Sequence, residues 1–156
     1  MPDNIKIIAK NKKAWHDFFI LEAVETGIVL QGTEVKSIRA GNVNLKESYA
    51  RVDRGEMFLH GMHIGTYEQG NRQNHEPRRP RKLLLHKRET LRLMSKVNER
   101  GLTLTPLSIY FKHGIAKIEL ALVKAKQNHD KRAALAERED QREVSRALKE
   151  ANRYDD

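Results

Sequence analysis

The sequence contains no cysteine, only four prolines, and few aromatic residues (6% of 156). The absence of cysteine excludes disulfide bonds, thiol nucleophiles and cysteine-ligated zinc. No apolar run approaches the ~18 residues that a membrane-spanning helix requires, and the N-terminus lacks the apolar block of a signal peptide. We therefore expect a cytoplasmic protein that does not associate with a membrane.

Enzyme signatures are also missing. The segment Gly27–Gly32 has the spacing of a phosphate-binding loop, but Thr33 and Glu34 follow where that loop requires lysine and a hydroxyl residue. His60 and His63 lie three residues apart in an apparent strand, which would place them on opposite faces and disfavours a shared metal ion. The sequence thus predicts a protein that is not an enzyme and has no cofactor and no metal site.

What the sequence has in excess is positive charge. Its formal net charge is +9, and residues 1–122 carry +8 of it, from 21 Lys+Arg against 13 Asp+Glu. A dense basic cluster lies between residues 78 and 92, where Glu89 is the one acid. Such clusters neutralise phosphates and release counterions when a nucleic acid binds. The charge predicts a nucleic-acid partner without distinguishing RNA from DNA.

Short strands and turns dominate residues 1–123. Glu25-Thr26-Gly27 suggests the turn of one hairpin, and Arg54-Gly55 suggests the turn of a second. Apolar residues recur at helical spacing from Lys87 to Arg100, with Gly101 placed as the C-terminal cap. Together with a short helix that begins near Thr33, this pattern predicts a mostly β protein built as a small closed β-barrel with one or two helices.

The C-terminal segment, residues 124–156, has a different pattern. It is rich in helix-forming residues, but no continuous apolar stripe joins them. Arg138, Arg142, Arg146, Lys149 and Arg153 fall on one face of a helix. The pattern fits either a solvated charged helix or a tail whose helix forms on an anionic surface. We expect a basic body at residues 1–123 and a separate tail at 124–156.

Five strings in the sequence resemble motifs of the SsrA-binding protein (SmpB) family. They lie at Asn11–Phe18, Gly32–Gly41, Tyr67–Asn71, Arg81–Lys87 and His129–Arg132, in the family's order. Each string alone is a weak signal, but together they are specific and cover most of the chain. One departure lies at the junction of body and tail, where Ala125 and Gln127 replace a glycine and a lysine that are common in the family.

The resemblance implies a fold and a set of partners. The fold is an oligonucleotide-binding-like barrel with a tail that is disordered when free and helical on the ribosome. The partners are transfer-messenger RNA (tmRNA), the decoding centre and message channel of the small ribosomal subunit, and elongation factor Tu through the shared RNA. Members of the family bring this RNA to stalled ribosomes for trans-translation and mimic part of a tRNA. The alternatives are a general structured-RNA-binding or ribosome-associated factor, and a metal-dependent nuclease, which the lack of a carboxylate cluster disfavours.

The resemblance also assigns site residues. Those expected to act in RNA binding are Asn11, Lys12, Lys13, His16, Glu34, Lys36, Ser37, Arg39, Tyr67, Arg81 and Lys82. Those expected to act in the ribosomal decoding centre are Lys124, Lys126, His129, Asp130, Lys131, Arg132, Arg138, Arg142 and Arg146. Glu34 is expected to orient Asn11, Lys12 and Lys36 through hydrogen bonds.

Overall fold

A computed structural model describes residues 4–67 and 74–127, together with Arg142 and Arg146. The chain divides into two units, Met1–Ala125 and Lys126–Asp156. In the second unit, the described Arg142 and Arg146 have helical backbone and exposed side chains. The elements of the first unit are β1 (Ile5–Lys10), α1 (Lys12–Asp17), β2 (Phe18–Ile28), α2 (Gly32–Arg39), β3 (Val43–Asn44), β4 (Tyr49–Asp53), β5 (Glu56–His60), β6 (His63–Ile64), β7 (Arg81–Leu84), α3 (Lys87–Arg100), β8 (Thr103–Lys112) and β9 (Ile115–Ala125).

Six antiparallel strands form a closed ring. Their order is β8, β4, β5, β7, β2 and β9, and the pairing of β9 with β8 closes it. β1 lies outside the ring, paired with β8, while β3 and β6 form a separate two-stranded sheet. Because the ring is closed, each of its six strands pairs with a neighbour on both sides, and the ring has no edge strand. The predicted mostly β class with few helices is confirmed.

The interior of the ring holds one large apolar core. Ile38 of α2, Leu93 of α3 and Ile118 of β9 are among its least exposed members. Both helices therefore contribute apolar side chains to the core that the strands surround. Because α2 buries Ile38 while its other face meets solvent, the basic residues of that helix are fixed on a rigid element.

The first predicted hairpin is wrong. Residues 18–28 form one uninterrupted strand, β2, which pairs with β9 from Phe18 to Gly27 and with β7 at its end. Gly27 serves a close approach between strands, since a Cβ at this position would lie 3.1 Å from the Cβ of Leu84. The glycine therefore marks tight packing of β2 against β7, and not a turn.

Other predicted elements agree with the structure. The second hairpin is formed by β4 and β5, and its turn residues Arg54 and Gly55 have φ of 52° and 80°. Helix α3 ends at Gly101, whose φ of 63° is the predicted left-handed cap. In the sequence, Pro106 interrupts a segment of alternating apolar residues, which predicts a bulge or an edge strand; in the structure it lies at a register shift in the β8–β9 pairing, which is a bulge. These features follow from local turn and cap chemistry, which neighbouring residues determine.

The structure adds a strand that the sequence pattern did not reveal and extends another. β1 precedes the segment expected to hold the first strand, and β9 continues to Ala125, two residues past the expected end of the body.

In the described ranges, no helix is long and apolar enough to cross a membrane.

Candidate nucleic-acid interface

Glu34 is the centre of a buried ionic network on α2. Its carboxylate is fully buried and accepts hydrogen bonds from the guanidinium groups of Arg79 and Arg81. Arg79 Nε lies 3.1 Å from Glu34 Oε2. Arg81 is itself fully buried, whereas about a quarter of the Arg79 side chain is exposed. The carboxylate thus joins an internal arginine to one that reaches the surface.

Arg81 fastens the neighbouring loop. Its Nη1 donates to the carbonyl of Met62 at 2.9 Å, and its Nη2 donates to the carbonyl of Pro77 at 3.1 Å. The carbonyl of Pro77 also accepts the backbone N–H of Ile64 at 2.9 Å, so Pro77 is held by two donors. The segment around residues 76–80, which includes Arg79, is therefore held against α2.

The network keeps Glu34 ionised. Burial acts to raise the pKa of this carboxyl, but hydrogen bonds from Arg79, the Gln31 backbone N–H and Arg81 outweigh it, and the pKa lies below its ordinary value. The Gln31 N–H donates at 2.7 Å and caps the first turn of α2. One carboxylate therefore both caps the helix and fixes two arginines.

Two further contacts join the loop to α2. His75 is buried, with Nδ1 2.9 Å from Thr33 Oγ1 and Nε2 2.8 Å from the carbonyl of Ile64. A carbonyl can only accept, so in the neutral ring Nε2 carries the proton and Nδ1 accepts from the Thr33 hydroxyl. On the same helix, Lys36 Nζ lies 5.5 Å from the ring centroid of Tyr67, within the range of a cation–π contact.

Asn11 has an internal role at the start of α1. It is 5% exposed, and its side-chain oxygen accepts the Ala14 N–H at 3.2 Å as the helix cap. Its side-chain nitrogen donates to the carbonyls of Pro106 at 2.9 Å and Leu45 at 3.3 Å. Asn11 therefore fixes α1 against β8 and the segment that follows β3.

The structure divides the predicted RNA-binding residues into three groups. The buried ones are Asn11, Glu34, Ser37 and Arg81. The exposed ones are Lys12, Lys13, His16, Lys36 and Arg39. Tyr67 and Lys82 are half-buried. Contact between any of these and an RNA stays a prediction.

The hydrogen-bond partners predicted for Glu34 are wrong. Its side chain bonds Arg79, Arg81 and the Gln31 backbone, which lie in the described part of the chain, and not Asn11, Lys12 or Lys36. Lys13 pairs with Glu47 at 2.8 Å, and Lys82 pairs with Glu56 at 3.1 Å. Sequence reasoning also missed the parts played by Thr33, His75 and Arg79; the arginine-rich string from residue 78 was the one available signal.

Several predicted tail residues lie outside the described residues, namely His129, Asp130, Lys131, Arg132 and Arg138. Lys124 is exposed in β9, and Lys126 is half-buried. Of the two departures from the family pattern at the junction, Ala125 is the last residue of β9 and pairs with Phe18. A glycine at this position is therefore not needed to complete the strand.

His60 and His63 belong to different strands. β5 ends at His60 and β6 begins at His63. The His60 ring stacks on Tyr49 with 5.4 Å between centroids, and burial lowers the pKa of His60. Within the described ranges, no group of three or more His, Asp or Glu residues could hold a metal ion.

A closed ring of antiparallel strands with cations fixed on its surface is an architecture that small nucleic-acid-binding β proteins use. The family described as "SmpB protein" matches residues 8–150. The chain belongs to this family, as its sequence motifs predicted.

Individual relatives agree with this assignment. A curated SsrA-binding protein of Halothermothrix orenii is 59% identical over 97% of this chain and 98% of its own length. A second, from Carboxydothermus hydrogenoformans, is 60% identical over 92% of this chain and 97% of its own length. A solved structure described as "tmRNA-SmpB: a journey to the center of the bacterial ribosome" is 47% identical, with a TM-score of 0.66 over 86% of this chain and 95% of that one.

Proposed function

We propose that this chain binds the tRNA-like domain of tmRNA and delivers it to ribosomes stalled on messages that lack a stop codon. Membership of the SmpB family supports the proposal, as do curated relatives named for binding SsrA RNA. The match to a chain from a tmRNA–SmpB–ribosome study points to the same assembly. A net positive charge of +9 suits both RNA partners.

The observation that carries the proposal is the set of cations fixed around α2. Arg79 is held by the buried Glu34, and Lys36 lies over Tyr67. A cation whose position is set before binding loses less side-chain entropy when it meets a phosphate. The α2 surface is therefore prepared for a particular arrangement of phosphates, as a structured RNA presents and a flexible strand does not.

The remaining parts of the proposal concern the tail and the other partners. The body at residues 1–123 would bind the RNA, and the tail at 124–156 would enter the empty decoding centre and the message channel. Elongation factor Tu would join through the shared RNA, in the cytoplasm. The chain itself would act as an adaptor and not as an enzyme, so its binding energy would position RNA and ribosome.

A gel-shift series tests the RNA assignment. The full chain is titrated with the tRNA-like domain of tmRNA and with unrelated hairpins of equal length, at several salt concentrations. Tighter binding to the tRNA-like domain at every salt concentration is expected. Equal affinity for all hairpins would overturn the proposal and favour a general structured-RNA-binding protein.

A second experiment tests the division of labour. A chain that stops after Gln127 keeps all of β9, so it should bind the tRNA-like domain nearly as well as the full chain. It should fail to support peptide tagging on a truncated message with purified ribosomes. Replacing His129, Lys131 and Arg132 together by alanine should cause much of the same loss. Full tagging by the shortened chain would show that the tail is dispensable.

A further inference from the structure

A groove of about 300 Å³ lies between β1, the end of α2 and the turn that joins β8 to β9. Its lining consists of Asn4, Lys6, Ile8, Arg39, Phe111 and Gly114. Two of these residues are cations, and none is acidic. The groove shares no residue with the Glu34 network, so it is a separate surface feature.

Arg39 is fixed above an aromatic ring in this groove. Its guanidinium carbon lies 5.7 Å from the ring centroid of Phe111. Phe111 is only 8% exposed and belongs to the main core, so the ring is a rigid floor. A guanidinium held over an aromatic face keeps its N–H edges available for a planar acceptor pair such as two phosphate oxygens.

Lys6 lines the same groove. It is the direct cross-strand partner of Phe111 in the β1–β8 pairing, and such partners project from the same face with Cβ atoms about 4.5–5.5 Å apart. The N–H of His113 donates to the carbonyl of Asn4 at 3.0 Å and fastens the start of β1 to the β8–β9 turn. Two cations therefore line one groove, on a backbone that this hydrogen bond fixes.

Among the described residues, no acidic side chain forms an ion pair with either cation of the groove. Lys6 and Arg39 have no ion pair within the described part of the chain, whereas Lys13, Lys82 and Lys96 each pair with a glutamate. Two positive charges beside one apolar floor repel each other, and water in a groove screens them less than open solvent does. An anion placed between them would remove that repulsion.

We infer that this groove binds a phosphodiester group of an RNA strand, with Arg39 and Lys6 as the contacts and Phe111 as the positioning residue. The inference rests on the proposed function and on the RNA-binding role expected for Arg39, and it adds Lys6 and Phe111, which the sequence motifs do not assign. Arg39 supplies a bidentate contact to the phosphate, and Lys6 supplies a single positive charge.

Three single-alanine variants of the full chain test this site in a salt series against the tRNA-like domain. Arg39→Ala and Lys6→Ala should each weaken binding several-fold and reduce the salt slope by about 0.7–0.9. Arg100→Ala removes the same charge from an exposed position at the end of α3. It is the matched control, and its slope should equal that of the unchanged protein.

Phe111→Leu separates positioning from charge. It removes the ring and keeps all charges, so binding should weaken while the salt slope stays unchanged. Because Phe111 is a core residue, thermal melting of each variant establishes that binding is measured on folded protein. Arg39→Ala and Lys6→Ala behaving like Arg100→Ala would overturn the inference. If the unchanged chain does not prefer the tRNA-like domain over unrelated hairpins, the proposed function fails instead.

Discussion

Replacing Glu34 by alanine should destabilise the body strongly. Glu34 and Arg81 are both fully buried, and removing one partner of a buried pair leaves an uncompensated charge, which costs about 3–5 kcal/mol. The Gln31 N–H and the partly buried Arg79 also lose their acceptor. For a domain of this size, the loss corresponds to a melting temperature lower by roughly 10–20 °C.

The matched control is an ion pair at the surface. Lys82→Ala removes a pair with Glu56 whose two side chains are 41% and 50% exposed, and such pairs contribute about 0–1 kcal/mol. Urea unfolding of both variants compares the two free energies directly. A loss below about 1 kcal/mol for Glu34→Ala, equal to that of the control, would refute the reasoning.

A double variant tests the cause of the loss. In Glu34→Leu with Arg81→Met, both charges are gone, so no buried charge is left without a partner. The combined loss should be smaller than the sum of the single losses by about 0.5–3 kcal/mol. Recovery should be incomplete, because the Met62 and Pro77 carbonyls lose the donor that Arg81 supplies. Additive losses would show that the two residues do not act as a pair.

The Glu34→Ala variant can also be tested in RNA binding. Glu34→Ala removes a negative charge, so electrostatics alone predicts tighter binding. We expect weaker binding, because Arg79 is released from its fixed position. Gel shifts performed well below the melting temperature of Glu34→Ala distinguish these two expectations. Tighter binding would contradict a role for Glu34 in positioning Arg79.

Three further predictions follow from other contacts. Lys36→Ala should reduce the slope of RNA affinity against salt concentration by about one, whereas Tyr67→Leu should weaken binding at an unchanged slope. The same slope for both variants would contradict the cation–π arrangement. Arg92 and Lys96 lower the pKa of Glu22 from 4.5 to about 2. The stability that this carboxylate contributes is therefore present above pH 4.5 and is lost as the pH falls toward 2. In urea unfolding across that range, the free energy of unfolding of Glu22→Gln should change less with pH than that of the unchanged protein. Gly27→Ala should destabilise the body by about 1 kcal/mol through contact with the Cβ of Leu84, and in thermal melting this loss should be smaller in a chain that carries Leu84→Gly, which removes that Cβ.

Local signals in the sequence predicted the elements that local chemistry determines. Helix α3 and its Gly101 cap, the β4–β5 turn and the bulge at Pro106 all depend on residues within a few positions of one another. β1 was missed because it forms by pairing with β8, which lies a hundred residues later in the chain. Pairing at that separation has no signature in a short sequence window.

The misassigned turn at Gly27 has the same cause. Glu25-Thr26-Gly27 favours a turn locally, but pairing with both β7 and β9 holds these residues in an extended conformation. The site shows the same limit, because the partners of Glu34 are 45 and 47 positions away in the sequence. Motif resemblance predicted Glu34 as a site residue, but only the folded chain shows which arginines it holds.

The closure of the ring by β9 has a consequence for synthesis of the protein. β2 is made early, yet its principal partner occupies residues 115–125, so its hydrogen-bonding edge stays open until nearly the whole body has left the ribosome. An open edge of this kind can pair with other nascent chains. Glu22 and Glu25, which later bind α3 and β8 residues, would meanwhile place negative charge along that edge and oppose such pairing.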